Sequence, residues 1–422
     1  MLHSIAAGYI IRIARNRVPD HNRSHGGMMK RIYFDHNATT PLHPEVRKAM
    51  IGAMDCFGNP SSLHEDGRLA RGLVEEARAK VAALINAQPE EIMFAGSGSE
   101  GNNTVLSIMS CSGAQCGLHP PADGRMVTST IEHPCILETS KCLENRGIMV
   151  DRVGVDRKGL VDMERLESTV TGDTSLVSIM MVNNETGAVQ DIRRALEIAH
   201  EAGALFHTDA VQGVGKLPVD VRETEVDFLT ISAHKIYGPK GVGALYVRKG
   251  TPFCPLIRGG HQEMGRRAGT ENTLGIVGLG RAAELRAEEM EAEEERLTRL
   301  NRMLRKGIED TIEHVHFNSY SEHCLPTTLN VSFQGVEGEA LLLYLDMEGI
   351  DVSTGSACAS GSLDPSHVLL EMDLPVEYTH GSLRMSMGRS TTEDEVRRVL
   401  EVLPGIVEKL RRMSTAWDGG RR

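Results

Sequence analysis

Lys235 is the residue of this chain that most directly implies chemistry. It stands in the run SAHKIYGPKGVGALYV, Ser232 to Val247, just after a β-rich apolar stretch, Val226 to Ile231. An amine at the end of a buried strand, wrapped in Ser, His and Gly, is what a pyridoxal phosphate enzyme needs. The amine forms a Schiff base with the cofactor aldehyde, and nearby hydroxyl and imidazole groups hold the phosphate. Read without chemistry, the same run is a surface lysine on a turn.

Other runs place polar groups in similar positions. FAGSGSEGNN, Phe94 to Asn103, follows a strand-like stretch; free N–H groups and the Ser97 and Ser99 hydroxyls there make an anion site, or an ordinary turn. FHTDAVQGVGK, Phe206 to Lys216, puts Asp209 and Gln212 beyond another strand. Asp209 reads either as a helix cap or as the partner that keeps a pyridine nitrogen protonated. His133 in TIEHPCIL is a polar core residue, or a ring that stacks on a flat cofactor and relays protons. Asn183, Asn184 and Glu185 in VNNETGAVQDI close a turn or bond the cofactor's ring oxygen. Cys358 lies in STGSACASGSLDPSH, Ser353 to His367, a small, polar, glycine-rich run in which no bulky apolar neighbour buries the thiol. Arg384 in HGSLRMSMGR is a candidate for a bidentate grip on a substrate carboxylate, or a surface ion pair.

The elements that must position these groups alternate between strand-like and helix-like from about residue 70 to 250, the pattern of an α/β domain with a mostly parallel sheet. Strands are expected at Glu91 to Phe94, Arg125 to Thr128, Ser175 to Val182, Leu205 to Thr208, Phe228 to Ile231 and Gly243 to Val247. Helices are expected at Val74 to Ile85, from Asn102, and at Ile192 to Glu201. Beyond Thr273 a long charged helix, Ile276 to Ile308, leads towards a second domain with a strand at Thr327 to Phe333 and helices at Gly338 to Met347 and Thr392 to Arg411.

Composition narrows the function classes. A chain of 422 residues with 40% hydrophobic and 25% charged content is long enough for two domains. The formal net charge of −12 argues against a nucleic-acid partner. No apolar run is long enough to cross a bilayer, so no membrane partner is expected. Eight cysteines without a CxxC pair or zinc-finger spacing fit a reducing cytoplasm, and no residue is assigned to a metal. Residues 1–29 are basic, with Arg12, Arg15, Arg17 and Arg23, and read as a disordered extension, an over-long start or an organelle-targeting segment.

Taken together, the motifs resemble the NifS/IscS-like cysteine desulfurases among the class-V aminotransferase-like, fold-type-I pyridoxal phosphate enzymes. The resemblance runs from Arg31 to the end in the family's order: YFDHNATTPLHPEV, GNPSSLH, EHPCI, VNNETG, FHTDAVQ, SAHKIYGPKG, RRAGTEN, GSACASGSLDPSHVL and SLRMSMGR. It implies an α/β fold-type-I transferase, with a large domain on a mostly parallel seven-stranded sheet and a smaller α/β C-terminal domain. The implied division is an arm at 30–44 joining the small domain, a large cofactor-binding domain at 45–280 and a small domain at 281–422 carrying the cysteine loop. It implies that Lys235 bears the cofactor, His133 stacks on its ring, Asp209 meets the pyridine nitrogen, and Asn184 and Gln212 lie near the ring oxygen. Gly98, Ser99, Ser232 and His234 are implied to hold the phosphate. Thr270 is implied to reach the phosphate of a neighbouring subunit, which means a homodimer. Asn37, Asn184 and Arg384 are implied to bind substrate, and Cys358 to accept sulfur. GSGSEGNN stands where the family commonly has SGATESNN; Ser99 in place of Thr keeps the hydroxyl.

The implied reaction takes L-cysteine to L-alanine and leaves the sulfur on Cys358 as a persulfide, to be handed to an iron–sulfur scaffold or another acceptor protein. Two rivals stand beside it. The first is another enzyme of the same fold: a selenocysteine lyase, which can dispense with a sulfur-accepting cysteine, or an aminotransferase, which consumes a keto acid and leaves no persulfide. A non-catalytic relative would have no use for Lys235, Asp209, His133 and Cys358 together.

Overall fold

The first element among the described residues is a two-residue strand, β1 (Ile32–Tyr33). The computed structural model describes residues 31–111, 124–354, 365–415, 417 and 419. The expected extension over residues 1–29 and the candidate nucleophile Cys358 lie outside the described residues.

Seven strands form the main sheet: β2 (Ile92–Ala95), β3 (Arg125–Ser129), β4 (Met149–Val153), β5 (Thr174–Ser178), β6 (Leu205–Asp209), β7 (Phe228–Ser232) and β8 (Gly243–Val247). Their spatial order is β2-β8-β7-β6-β5-β3-β4. Every pairing is parallel except those of β8, which runs antiparallel to both β2 and β7. β2, β7 and β8 are buried at every position, as continuous apolar runs such as IMFA and GALYV require when both sheet faces are covered. The other six strands therefore all finish at one edge of the sheet, where the crevice of an open α/β sheet takes its ligand.

The helices Glu65–Leu84 and Thr273–Thr311 pack against each other over this sheet. Their contact is close at Gly280, where a Cβ would lie 2.6 Å from both Cα and Cβ of Ala77. At 39 residues the second helix is about 58 Å long. Its first half buries Ile276, Leu279 and Ala283 in the core of the main sheet. Its second half buries Leu297, Leu300, Leu304 and Ile308 in a separate core.

That second core is built on an antiparallel sheet of β9 (Val315–Phe317), β10 (Thr328–Phe333) and β12 (Ser382–Ser386), in the order β12-β10-β9. The helices Gly338–Met347 and Glu393–Met413 cover it. β1 pairs in parallel with β11 (Ile350–Asp351), and Ile32 and Phe34 of the N-terminal arm belong to this core.

Several elements depart from the sequence reading. The helix expected from Val74 begins at Glu65, capped by the His64 side chain, which accepts the Gly67 N–H. Its first turns bury the small residues Gly67 and Ala70, which carry little apolar signal. The strand expected over Ser175 to Val182 ends at Ser178. Beyond that point the chain still bonds β6, through Ile179 and Met181, but has left β3, which finishes at Ser129.

Two buried acids brace the edge that carries the site. Glu263 receives both terminal nitrogens of Arg78, at 2.7 and 2.9 Å, and the Phe94 main-chain N–H at 2.8 Å. This ties the helix Glu65–Leu84 to β2 just before the Gly/Ser loop. Glu132, directly after β3, accepts the Ser129 hydroxyl at 2.7 Å and the Met180 N–H at 2.9 Å, both on Oε1. Burial pushes its carboxyl up to about 8.

Glu263→Ala leaves the buried Arg78 guanidinium with only the largely exposed Glu75 as counter-charge and should cost roughly 3 kcal/mol, read from the urea unfolding midpoint. For Glu132 the sign follows from linkage. The unfolded side chain ionises near about 4.3 and the folded one near 8, so the native state alone holds the proton between those values. Its contribution is full below the lower value and is lost as pH rises through the upper one. Glu132→Gln cannot ionise, so its melting temperature should gain on that of the parent chain between pH 5 and pH 9. A constant difference across that range would show that Glu132 is ordinary.

Candidate active site

The helix after β2 starts earlier than the sequence reading placed it. It spans Gly98–Leu106 rather than beginning at Asn102. Ser97 caps it by accepting the Glu100 N–H at 3.1 Å, and the Glu100 carboxylate reaches back to the Gly96 N–H at 2.9 Å. The glycines at its start permit close packing. A Cβ on Gly98 would lie 2.8 Å from Val211 Cγ2 and 3.3 Å from Ser232 Cβ, and one on Gly101 would lie 2.9 Å from Thr230 Cγ2. The positive end of the helix thus sits against the ends of β6 and β7, with exposed Ser99 and buried Ser232 beside it. His234 follows in the turn Ala233–Lys235, its Nδ1 3.1 Å from Thr39 Oγ1. Burial and the Lys235 charge lower its imidazole to about 4, so it is neutral near pH 7.

Lys235 ends that turn. Its Nζ donates to the main-chain carbonyls of Asn37 at 2.5 Å and Ala38 at 2.9 Å, both on the N-terminal arm. The Asn37 carbonyl also accepts Gln212 Nε2 at 3.0 Å. Further along the arm, Thr40 N–H and Oγ1 both donate to the His234 carbonyl at 2.9 Å, and the His43 N–H donates to the Tyr237 carbonyl at 3.0 Å. The arm is thereby stitched along the lysine turn.

Asp209 closes β6 and is buried. Its Oδ2 accepts Asn102 Nδ2 at 2.6 Å and its Oδ1 accepts the Val211 N–H at 3.0 Å. Asn102 Nδ2 also lies 3.2 Å from Cys135 Sγ, which is 3.0 Å from His133 Nδ1. The Cys135 N–H donates to His133 Nδ1 at 3.2 Å, so His133 caps the helix Pro134–Glu144. A main-chain N–H only donates, so Nδ1 acts as an acceptor and the neutral ring carries its proton on Nε2. Burial lowers the basicity of this imidazole, against the pull of Asp209.

The residues expected on the substrate side meet on the other flank. The Asn184 carbonyl accepts Asn37 Nδ2 at 3.1 Å and Arg384 Nη1 at 3.0 Å. Arg384, on β12, is buried, and its Nη2 donates to Asp35 Oδ1 at 2.8 Å. Asn37 Nδ2 also donates to Thr328 Oγ1 at 2.8 Å. Thr270 is exposed, three residues after Arg267, whose guanidinium pairs with Glu100 at 2.9 Å. Cys358 lies outside the described residues, but the chain after it docks at the site: Ser366 donates to the buried Glu185 carboxylate at 2.5 Å, and His367 Nε2 lies 3.2 Å from the Glu132 carbonyl.

The residues present fit pyridoxal phosphate. One end of the crevice is a helix N-terminus pressed so close that a side chain at Gly98 would fill it, with the hydroxyls of Ser99 and Ser232 alongside. The other end is a buried carboxylate, Asp209, held by Asn102, whose own Oδ1 is buried without a hydrogen-bond partner. Lys235 lies among acceptors of the arm, on the turn that follows Ser232. An anion cradle, an amine and a base for a ring nitrogen are the donor set that the cofactor requires.

Sequence reasoning missed four groups in this network: Asn102, Cys135, Asp35 and Lys216. Asn102 lies on the first turns of the capped helix, and Lys216 stands four residues after Gln212. Asp35 sits two residues before Asn37 in the YFDHNATT run. Capping signals and these short offsets are the only local traces they leave.

Comparisons with known proteins agree with this arrangement. Residues 32–399 match the family described as Aminotransferase class-V. A relative named Cysteine desulfurase IscS from Dictyoglomus turgidum is 47% identical over 388 residues, 92% of this chain and 97% of its own length. One named Cysteine desulfurase from Gluconacetobacter diazotrophicus is 45% identical over 394 residues, 93% and 97% of the two chains. A solved structure titled NifS-like protein superposes with a TM-score of 0.83 at 38% identity, covering 90% of this chain and all of the other. A NifS-like protein from Rickettsia africae gives 0.80 at 34%, covering 90% and 99%. With the strand order, the lysine turn and these likenesses together, the chain belongs to the aminotransferase class-V family and, within it, to the NifS/IscS-like cysteine desulfurases.

Proposed function

We propose that this protein is a pyridoxal-phosphate-dependent cysteine desulfurase. It converts L-cysteine to L-alanine and moves the sulfur to Cys358 as a persulfide. The observation that carries the reading is the convergence of Lys235, Asp209 and the Gly98 helix start at one sheet edge, with an arginine, Arg384, on the facing β12. When bound, the cofactor supplies an electron sink for charge developing at the substrate Cα.

The chain's own residues divide the remaining work. Gly98, Ser99, Ser232 and His234 hold the phosphate, and Asp209 keeps the pyridine nitrogen protonated. Gln212 and Asn184 flank the ring oxygen, and Asn37, Asn184 and Arg384 grip the substrate carboxylate. Lys235, once its amine is free, moves the Cα proton. His133 covers the ring and donates through Nε2–H. The Cys358 thiolate attacks the substrate sulfur, the carbon–sulfur bond breaks, and a proton replaces sulfur on carbon. Cysteine and an enzyme thiol thus become alanine and an enzyme persulfide, with no outside oxidant. The persulfide then passes to an acceptor protein, an iron–sulfur scaffold or another thiolation carrier.

Ile51, Met54, Phe57, Leu63 and Leu69 are all more than half exposed. An apolar set of this size on one stretch of chain supports a homodimer in which a second copy covers it and Thr270 reaches the neighbouring site. The described helices include none long and apolar enough to cross a membrane.

Purified protein incubated with L-cysteine should release alanine and carry one persulfide on the peptide containing Cys358, read by mass. Lys235→Ala should lose the near-visible absorbance together with alanine release. Cys358→Ala should keep the colour and lose the persulfide. Undiminished sulfide release by Cys358→Ala under ordinary thiol would overturn the role of that cysteine, and turnover by Lys235→Ala would overturn the assignment as a whole.

A further inference from the structure

Lys216 takes no part in the reaction above, yet its ammonium lies among the amides of the site. Its Nζ donates to Gln212 Oε1 at 2.5 Å and to Asn37 Oδ1 at 3.3 Å. An ammonium has donors only, so both amides must turn their oxygens towards it. The opposite ends are then committed as donors. Gln212 Nε2 donates to the Asn37 carbonyl, the same oxygen that receives Lys235 Nζ. Asn37 Nδ2 donates to the Asn184 carbonyl and to Thr328 Oγ1. Were the Gln212 amide reversed, its NH2 would face the ammonium and its oxygen would face a carbonyl, two repulsive contacts in a buried place.

We propose that Lys216 is a positioning residue, which fixes the amide orientation of Gln212 and Asn37 so that Gln212 presents N–H rather than oxygen on the Lys235 side of the site. The inference rests on the reading of Lys235 as the cofactor-bearing lysine. It adds a consequence that packing alone would not produce. A ring oxygen beside the Lys235 nitrogen then meets a donor, and the Lys216 charge lies close enough to oppose a proton on that nitrogen. The cations acting on Lys216 are Lys235, Arg286 and Arg384; Glu293 opposes them, and Glu294 lines the same small cavity. His36 and His234 also face it, and burial keeps both imidazoles neutral at pH 7. Burial, then the Lys235 charge, lowers Lys216 to about 7, so its charge and its hold on the two amides are strongest below that pH and fade above it.

The test is a pH titration of the near-visible absorbance of the cofactor-loaded protein. Lys216→Met removes the charge and frees the Gln212 amide; both effects raise the basicity of the nitrogen attached to the cofactor. Its absorbance midpoint should move up by roughly one pH unit. Lys216→Arg keeps the charge and should stay closer to the parent value. In a Gln212→Ala background the Lys216→Met shift should shrink, because part of it acts through that amide. A coloured Lys216→Met protein with the parent midpoint overturns the proposal. If Lys216→Met does not fold, Lys216→Gln carries the same expectation. Should neither neutral variant fold, with the cofactor-free chain melting far below the parent, Lys216 is a brace for the fold and the proposal fails. Retention of the near-visible band by Lys235→Ala would instead remove the reading on which it rests.

Discussion

The amine of Lys235 is held by carbonyls that belong to another part of the chain. Asn37 and Ala38 each supply an acceptor, and they lie on the arm whose earlier residues, Ile32 and Phe34, are buried in the second core. The lysine turn is set by β7 in the main sheet. The position of the amine therefore depends on the main sheet, the arm and the second core being assembled together. The 39-residue helix that buries side chains in both cores supplies the same constraint from the other direction.

This explains why so much polar surface is tolerated at the sheet edge. Arg384, Asp209, Asn37 and Gln212 are all buried. Each has partners of opposite hydrogen-bonding sense, most of them from a different element: Arg384 with Asp35 and the Asn184 carbonyl, Asp209 with Asn102, Gln212 with Lys216 and the Asn37 carbonyl. Burial pushes the Asp35 carboxyl up, while the Arg384 charge pulls it back. Asp35 already holds one edge of the Arg384 guanidinium. If Arg384 grips the substrate carboxylate as proposed, binding would exchange one carboxylate for another, or share one fork between two, rather than fill an unpaired charge.

The parts of the fold that were legible in the sequence are those decided locally. The apolar run Gly243 to Val247 and the periodic helices Ile192 to Glu201 and Gly338 to Met347 have the bounds expected of them. Pattern alone failed where small residues do the packing. Gly98 and Gly101 look like loop, yet they open a helix because bare backbone is what fits against β6 and β7. The site divides in the same way. Residues within recognisable runs, such as Lys235 and Asp209, could be named beforehand. Asn102 and Asp35 could not, because their partners lie 107 and 349 residues away; Lys216 meets Gln212 only four residues back, but its other partner, Asn37, lies 179 residues away.

The pairing of β1 with β11 has a consequence for how the molecule is made. Ile32 leaves the ribosome early, while its partner Ile350 emerges 318 residues later, a wait of about 15–60 s at ordinary elongation rates. The main sheet can close during that interval, since its last strand ends at Val247. Until Ile350 appears the arm lacks its β11 partner, so nascent Lys235, which precedes Ile350 by 115 residues, waits about 6–23 s before the arm that carries its carbonyl clasp can be seated. Maturation of the catalytic centre is thus the closing event of biogenesis, and premature cofactor capture would have to occur in an unfinished crevice.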